Sequence, residues 1–161
     1  MDAISLLTDQ HRRLEGELKN ALGAKQPAAR TAALALVGDD LTKHVTSEET
    51  VFYPAVKAKQ TQDVLLESLE EHLSLKRLLA DLLTLDPNAE TWEPKLKVLT
   101  EQAEHHHKEE EEKLFVKVRK MFEPEELTTL GQEILACQQS LQNDGAPREA
   151  VIEQTGTAAA L

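Results

Sequence analysis

Two nine-residue segments, 44–52 and 107–115, carry the same pattern: a His, a Glu four residues later, a second Glu directly after it, and a Phe at the ninth position. Residues four positions apart on an α-helix lie on one face, so each His and its first Glu can offer a nitrogen and a carboxylate to one point. The pairs are His44 with Glu48 and His107 with Glu111. A fold that brings these two faces together would form a site for a pair of metal ions.

Apolar residues recur at helical spacing along four long segments, which predicts four main helices. A fifth, shorter helix is expected to begin at Pro124, and the last residues read as a flexible tail. The predicted helices are 2–22, 28–53, 63–85, 90–122 and 124–142, with the tail at 143–161. Antiparallel helices joined by short loops predict an all-α, up-down-up-down four-helix bundle with a short C-terminal fifth helix, and one domain over residues 1–142.

The composition of the chain argues against several classes of function and location. The formal net charge of −11 argues against binding to nucleic acid, for which a basic patch is expected. No apolar run reaches the length of a membrane-spanning helix, and the acidic N-terminus lacks the basic start of a signal peptide. A single cysteine, Cys137, excludes an intrachain disulfide and suits a reducing compartment. We therefore expect a cytoplasmic protein, a monomer or weak homodimer.

Four histidines interrupt the apolar stripes, one in each main helix: His11, His44, His72 and His107. The interval from His11 to His72 is nearly the same as the interval from His44 to His107, which suggests a weak repeat of two helical hairpins. Burying so many polar groups without a ligand is costly, so a metal site is favoured over a bundle with coincidental His and Glu residues. Imidazole and carboxylate donors suit iron, manganese or zinc, and a binuclear iron site is the natural choice.

The register of the fourth helix has to be chosen, because His105, His106 and His107 are each followed by Glu four residues later. Only His107 shares its face with apolar residues such as Leu114 and Val118. We therefore predict that His107 and Glu111 point inward and that His105 and His106 face solvent.

The sequence allows more than one role for each of two further residues. Tyr53 directly precedes Pro54, where the helix is expected to distort, and a phenolate is a good ligand for ferric iron, so Tyr53 is a candidate extra ligand. Glu15 lies one turn after His11 and is either a support for the site or a surface residue.

These residues carry a resemblance to the hemerythrin-like, or HHE cation-binding, family, and specifically to its small single-domain actinobacterial-type members. The match covers about residues 1–142 and rests on His11, on His44-x-x-x-Glu48-Glu with Phe-Tyr-Pro behind it, on Glu71-His72, and on His107-x-x-x-Glu111-Glu with Phe115. The resemblance implies a bundle holding two non-haem iron ions (Fe2+/Fe3+). It assigns four terminal ligands, His11, His44, His72 and His107, and two bridging carboxylates, Glu48 and Glu111.

One departure from the family pattern concerns function. Oxygen-carrying members place a second His one turn after the His of the third helix, and this chain has Lys76 there. The resemblance then favours a reaction with hydrogen peroxide or dioxygen, as in catalase-like defence against oxidative stress. The alternative is a protein that binds or senses iron, oxygen or nitric oxide without turnover. An ammonium at Lys76 is also expected to help hold a bound peroxide or hydroxide.

Overall fold

The computed structural model describes all 161 residues and contains helices only. The α-helices are α1 (Ala3–Gly23), α2 (Pro27–Ser47), α3 (Tyr53–Val56), α4 (Gln62–Thr84), α5 (Trp92–Glu109), α6 (Phe115–Met121) and α7 (Pro124–Asn143). A first π-turn (Glu48–Phe52) joins α2 to α3, a second π-turn (Glu110–Leu114) joins α5 to α6, and a 3₁₀-helix spans Pro147–Gln154.

The long helices pack in a ring: α1 contacts α2 and α5, and α4 contacts α5 and α2. The connections between them are short, so neighbours in sequence run antiparallel. α7 lies across α1 and α2 as an additional helix. The predicted all-α bundle with a C-terminal fifth helix is therefore confirmed.

Local sequence explains where several helices begin. The Asp2 side chain accepts a hydrogen bond from the Ser5 backbone N–H at 2.9 Å and caps α1. Pro27 and Pro124 occupy first-turn positions, where the absent N–H costs nothing. At the start of α7, Glu123 and Glu126 form a reciprocal capping box. These caps fix the ends of helices whose inner faces form the core.

The apolar core divides into two clusters along the bundle. One contains Leu14, Leu41, Leu75 and Leu96, and the other contains Leu7, Phe52, Leu69 and Leu114. The polar inward residues lie between these clusters on every main helix; for example, His11 lies between Leu7 and Leu14 in sequence. The bundle thus contains a buried polar layer with apolar packing on both sides.

The two π-turns are the main feature that helical periodicity did not predict. In each of them a backbone N–H bonds to the carbonyl five residues earlier, from Tyr53 to Glu48 and from Phe115 to Glu110. Both turns fall at the same place in the repeated hairpin. π-turns inside α-helices occur frequently at functional sites. Here each one begins at a buried glutamate.

The segment after α7 is packed against the bundle. Its 3₁₀-helix contacts α2 and α4, and Val151 is buried in the first apolar cluster. Arg148 donates from its backbone N–H and its guanidinium to the Asp39 carboxylate, at 3.0 and 2.8 Å.

None of the helices combines the length and the apolar character that a membrane crossing requires.

A pair of glycine substitutions tests the packing of α7 on the N-terminal segment. A Cβ at Gly131 would lie 2.7 Å from the Met1 carbonyl oxygen, whereas one at Gly16 would meet no atom within 4 Å. Gly131→Ala should lower the free energy of unfolding by about 1–3 kcal/mol, because overpacking outweighs the gain in helix propensity. Gly16→Ala should raise it by up to about 1 kcal/mol. Urea denaturation of both variants measures this difference, and a stabilised Gly131→Ala would contradict the packing described.

Candidate metal centre

The buried polar layer contains five imidazoles and two carboxylates whose donor atoms group into overlapping clusters. The clusters are His11, His44 and His107; His11, His44, Glu48 and Glu110; and Glu48, His72, His106 and Glu110, with all donor atoms in a cluster within 4.8 Å of one another. Each of these side chains is at most 2% exposed. We call the half that contains His11, His44 and His107 the first half, and the half that contains His72 and His106 the second half.

The two buried carboxylates connect these halves. Glu48 Oε1 lies 3.1 Å from His44 Nε2, while its Oε2 lies 3.0 Å from His72 Nε2. Glu110 Oε1 lies 3.1 Å from His11 Nε2, and its Oε2 lies 3.7 Å from His106 Nε2. Each carboxylate therefore presents one oxygen to each half, which is the arrangement that a bridging ligand needs.

Tyr53 completes the second half. Its hydroxyl oxygen lies 2.5 Å from Glu110 Oε2, 3.1 Å from His72 Nε2 and 3.4 Å from Glu48 Oε2, and the side chain is fully buried. The first π-turn ends at the residue before Tyr53 and directs the phenol into the layer. The second half thus combines two nitrogens and a phenolic oxygen, whereas the first half contains three nitrogens.

Every imidazole is oriented by an acceptor on its outer side. The Nδ1 atoms pair at 2.8–3.1 Å as His11 with Glu111, His44 with Gln10, His72 with Glu49, His106 with Glu71, and His107 with Glu15. An oxygen acceptor at Nδ1 holds the proton there and leaves the Nε2 lone pair free. All five Nε2 atoms therefore face the centre, which is the orientation that metal ligands require.

The prediction that His106 faces solvent is wrong, because its side chain is 1% exposed and lies in the second half. His105 is exposed, as predicted. Glu110 lies between the halves, in the position expected for Glu111. The structure places Glu111 on the outer side of His11, with its side chain 26% exposed. The other residues proposed as ligands, His11, His44, Glu48, His72 and His107, all lie in the centre.

The geometry of α5 explains this change of register. His106 and His107 are adjacent, so they diverge by about 100° around the helix and reach different halves of the layer. Glu110 lies one turn beyond both of them and can face the space between the halves, while Glu111 is directed toward α1, where it meets His11. A run of four glutamates, 109–112, obscured this choice in the sequence. The repeat still contains the signal, because the interval from His44 to His106 is identical to the interval from Glu48 to Glu110.

Lys76 does not face the centre. Its ammonium donates to Glu49 Oε1 at 2.7 Å, and the other oxygen of Glu49 accepts from His72 Nδ1 at 2.9 Å. The lysine is 6% exposed and neutralises a carboxylate that supports a histidine. The expectation that its ammonium holds a ligand in the site directly is therefore not met by this geometry.

Burial and mutual repulsion strongly perturb the ionisation of the metal-free centre. Burial lowers the pKa of His44 to about 3, and it also holds the pKa of His107 well below the ordinary value. Burial, followed by repulsion from Glu110, raises the pKa of Glu48 to about 8. Burial opposes ionisation of Glu110 as well, but the close contact with the His11 imidazole and the charge of the nearby imidazoles lower its pKa. Burial and the two carboxylates raise the pKa of Tyr53 well above its ordinary value.

The residues present fit a pair of cations. Five buried atoms at the centre lack a hydrogen-bond partner: His11 Nε2, His44 Nε2, His107 Nε2, Glu48 Oε1 and Glu110 Oε1. His72 Nε2 and His106 Nε2 lie 3.0 Å apart with both Nδ1 atoms engaged elsewhere, so their lone pairs repel unless a proton or cation intervenes. Neighbouring ligands on a cation with bonds of about 2.1 Å lie about 3 Å apart, which matches the spacings observed.

A first prediction compares adjacent histidines. His106→Ala should lower the metal content, because it deletes one of only two imidazoles in the second half, whereas His105→Ala should leave the metal content unchanged because that ring is 64% exposed. Metal analysis of both purified variants, alongside circular dichroism to confirm folding, measures the effect. Equal metal content in the two variants would show that His106 is not a ligand.

A second prediction concerns the pH dependence of the metal-free protein. His44, His107 and Glu110 all have lowered pKa values when folded, so the unfolded chain binds protons more readily and stability falls as pH falls. The two histidines lower the free energy of unfolding as pH falls below about 6.5, and Glu110 lowers it further below about pH 4.5. Each group contributes up to about 1.4 kcal/mol per pH unit. Chemical denaturation of chelator-treated protein should therefore show a steep loss of stability below about pH 4.5.

Glu48 is a main contributor to the alkaline side of the same profile. Its raised pKa means that stability is present at low pH and is lost as pH rises from about 4.5 to about 8. Glu48→Gln cannot ionise at this position, so it should reduce the loss of stability that the wild type shows as pH approaches about 8, while Glu17 and His72, whose pKa values are also raised, keep part of that loss. The loss of stability at acid pH should remain. A profile that is flat on both sides would contradict these pKa shifts.

Comparisons with known proteins agree with this centre. The family model described as "Hemerythrin HHE cation binding domain" matches residues 2–118. A curated protein named "DNA nickase", from Nostoc sp. (strain PCC 7120 / SAG 25.82 / UTEX 2576), is 28% identical over 103 residues, which is 64% of this chain and 29% of that protein. The chain thus spans less than a third of that relative's length. No solved structure matches. The family match covers most of the chain and all of the clustered donors, and the chain therefore belongs to the hemerythrin HHE cation-binding domain family.

Proposed function

We propose that this protein binds two non-haem iron ions at the centre and decomposes hydrogen peroxide in a catalase-like reaction. The observation that carries the proposal is the placement of the two carboxylates, each with one oxygen toward each half. Bridging carboxylates offset the repulsion between two neighbouring cations. The supporting donors are imidazole nitrogens and carboxylate oxygens, which suit iron.

The donor count supports turnover at this centre. In the first half, His11, His44 and His107 and one oxygen from each bridging carboxylate make five donors. In the second half, His72, His106 and Tyr53 take the place of the three imidazoles. A six-coordinate ion held by these donors would keep one position in each half for a small ligand.

A pair of bound iron ions would supply the two-electron redox chemistry by which two molecules of hydrogen peroxide become two of water and one of dioxygen. The chain's own groups bind, orient and transfer protons. Tyr53 carries its proton at neutral pH because its pKa is raised, and its hydroxyl donates to Glu110 Oε2. It is therefore placed either to lose that proton and serve as a ligand or to supply a proton within the layer. Burial of the whole centre excludes bulk water from these transfers.

The second candidate function is binding of dioxygen or nitric oxide without turnover, as a store or sensor. The observation that favours it is the burial of every centre side chain to 2% exposure or less, which admits only small ligands. Nicking of DNA is not proposed, because the chain spans 29% of the nickase and its net charge of −11 opposes contact with a phosphate backbone.

The deciding experiment uses protein loaded anaerobically with ferrous ions. We expect about two irons per chain, oxygen evolution on addition of hydrogen peroxide, and rapid oxidation in air without a long-lived oxy spectrum. Glu110→Gln should abolish oxygen evolution, because an amide cannot bridge as a carboxylate does, and Tyr53→Phe should reduce it. Glu112→Gln, at an exposed position in the same π-turn, is the matched control.

Each alternative has a distinct result in that experiment. A reversible oxy spectrum with no oxygen evolved from peroxide would favour the binding or sensing function. Iron at trace level in well-folded protein would overturn the di-iron proposal altogether.

A further inference from the structure

Gln10 differs from the other groups that orient the histidines, because it is an amide and the other four are carboxylates. A carboxylate can only accept hydrogen bonds, so it forces the imidazole Nδ1 to carry the proton. An amide can present either its oxygen or its NH₂ group. If Gln10 turned its NH₂ toward His44, the proton would move to Nε2 and His44 would no longer offer a lone pair to the centre.

A hydrogen-bond chain from α7 decides which way Gln10 faces. The Ser47 hydroxyl donates to the His44 carbonyl at 2.9 Å, so its oxygen is left to accept, and it accepts from Gln138 Nε2 at 2.9 Å. The same Gln138 Nε2 donates to Gln10 Oε1 at 3.0 Å, and Gln10 Nε2 donates back to Gln138 Oε1 at 2.9 Å. Gln10 Oε1 is thereby directed at His44 Nδ1, at 2.8 Å.

We propose that Gln138 is a positioning residue of the metal centre, acting through Gln10 to hold His44 in the tautomer that binds a cation. The inference rests on the proposed function for the presence of the metal, but the tautomer itself is a property of the metal-free protein. Gln138 lies on α7, beyond residues 2–118 that match the family model. The functional unit therefore extends into the C-terminal helix.

The repeat explains why only one half of the centre needs this device. Glu71 follows Gln10 at the same interval as His72 follows His11, and it orients His106 as Gln10 orients His44. Because Glu71 is a carboxylate, it sets the tautomer of His106 without help from a second group. Gln10 needs a second group to fix its orientation, and α7 packs on α1, α2 and the first π-turn, where that group is required.

The test compares Gln138→Ala with Gln139→Ala, an exposed neighbour that bonds only to Asn143 on the same helix. In metal-free protein, nitrogen NMR of the imidazoles should show His44 protonated at Nδ1 in the wild type and in Gln139→Ala. Gln138→Ala should show a mixture of tautomers. In iron-loaded protein, a chelator should remove metal about 10-fold faster from Gln138→Ala, the lower end of the effect of losing such a support.

Two more variants separate positioning from packing. Gln10→Glu combined with Gln138→Ala should restore both the His44 tautomer and slow metal release, because a carboxylate at position 10 needs no second group to orient it. Gln138→Glu keeps the size of the side chain but cannot donate to Gln10 or Ser47, so it should disturb His44 even if Gln138→Ala folds poorly.

The inference is overturned if Gln138→Ala and Gln138→Glu keep the Nδ1–H tautomer, or if Gln10→Glu fails to rescue Gln138→Ala. Absence of bound metal in the wild type would sink the proposed function instead. The NMR measurement on the metal-free protein would still decide the role of Gln138.

Discussion

Five imidazoles and two carboxylates meet in a layer that apolar side chains enclose from above and below, and the rest of the fold depends on how that layer is neutralised. Removing a carboxylate from water costs several kcal/mol unless a partner of opposite charge is present. The perturbed pKa values of His44 and Glu48 express this cost in the metal-free chain. Cations held within the two halves would satisfy all of these donors together. The bundle is therefore built around groups that ordinary packing would exclude.

Periodicity predicted the helices well because each one buries a continuous apolar stripe, and a His on such a stripe is costly to bury unless its nitrogens find partners. For this reason His11, His44 and His72 were placed correctly in the layer from sequence alone. On α5 the same reasoning failed in part. Three consecutive histidines and four consecutive glutamates give a His–Glu pair one turn apart in every register, so the pattern did not single out one face. Periodicity also assumes one inward residue per turn, whereas this helix turns both His106 and His107 inward.

The two π-turns were not predictable from periodicity, since they interrupt the 3.6-residue repeat only locally. Comparing the hairpins directly would have helped. When Glu48 is aligned with Glu110, the same offset aligns Tyr53 with Phe115. That alignment also shows where the halves have diverged: a phenol in one corresponds to a phenyl ring in the other. The chain thus surrounds two similar positions with different chemistry, which makes the two ions that it is proposed to bind inequivalent.

The origin of the donors in the two hairpins has a consequence for how the chain folds. The first hairpin contains α1 and α2, and the second contains α4 and α5. Neither hairpin contains all the donors of one half, because the first half takes His11 and His44 from the first hairpin and His107 from the second. Cations bound there would join residues far apart in the sequence and act as reversible cross-links, whose contribution to stability grows with the length of the loop they close. Each hairpin can form early from local contacts, and bound metal would stabilise the docking of one hairpin on the other. The supply of metal would then set how firmly the two hairpins stay docked.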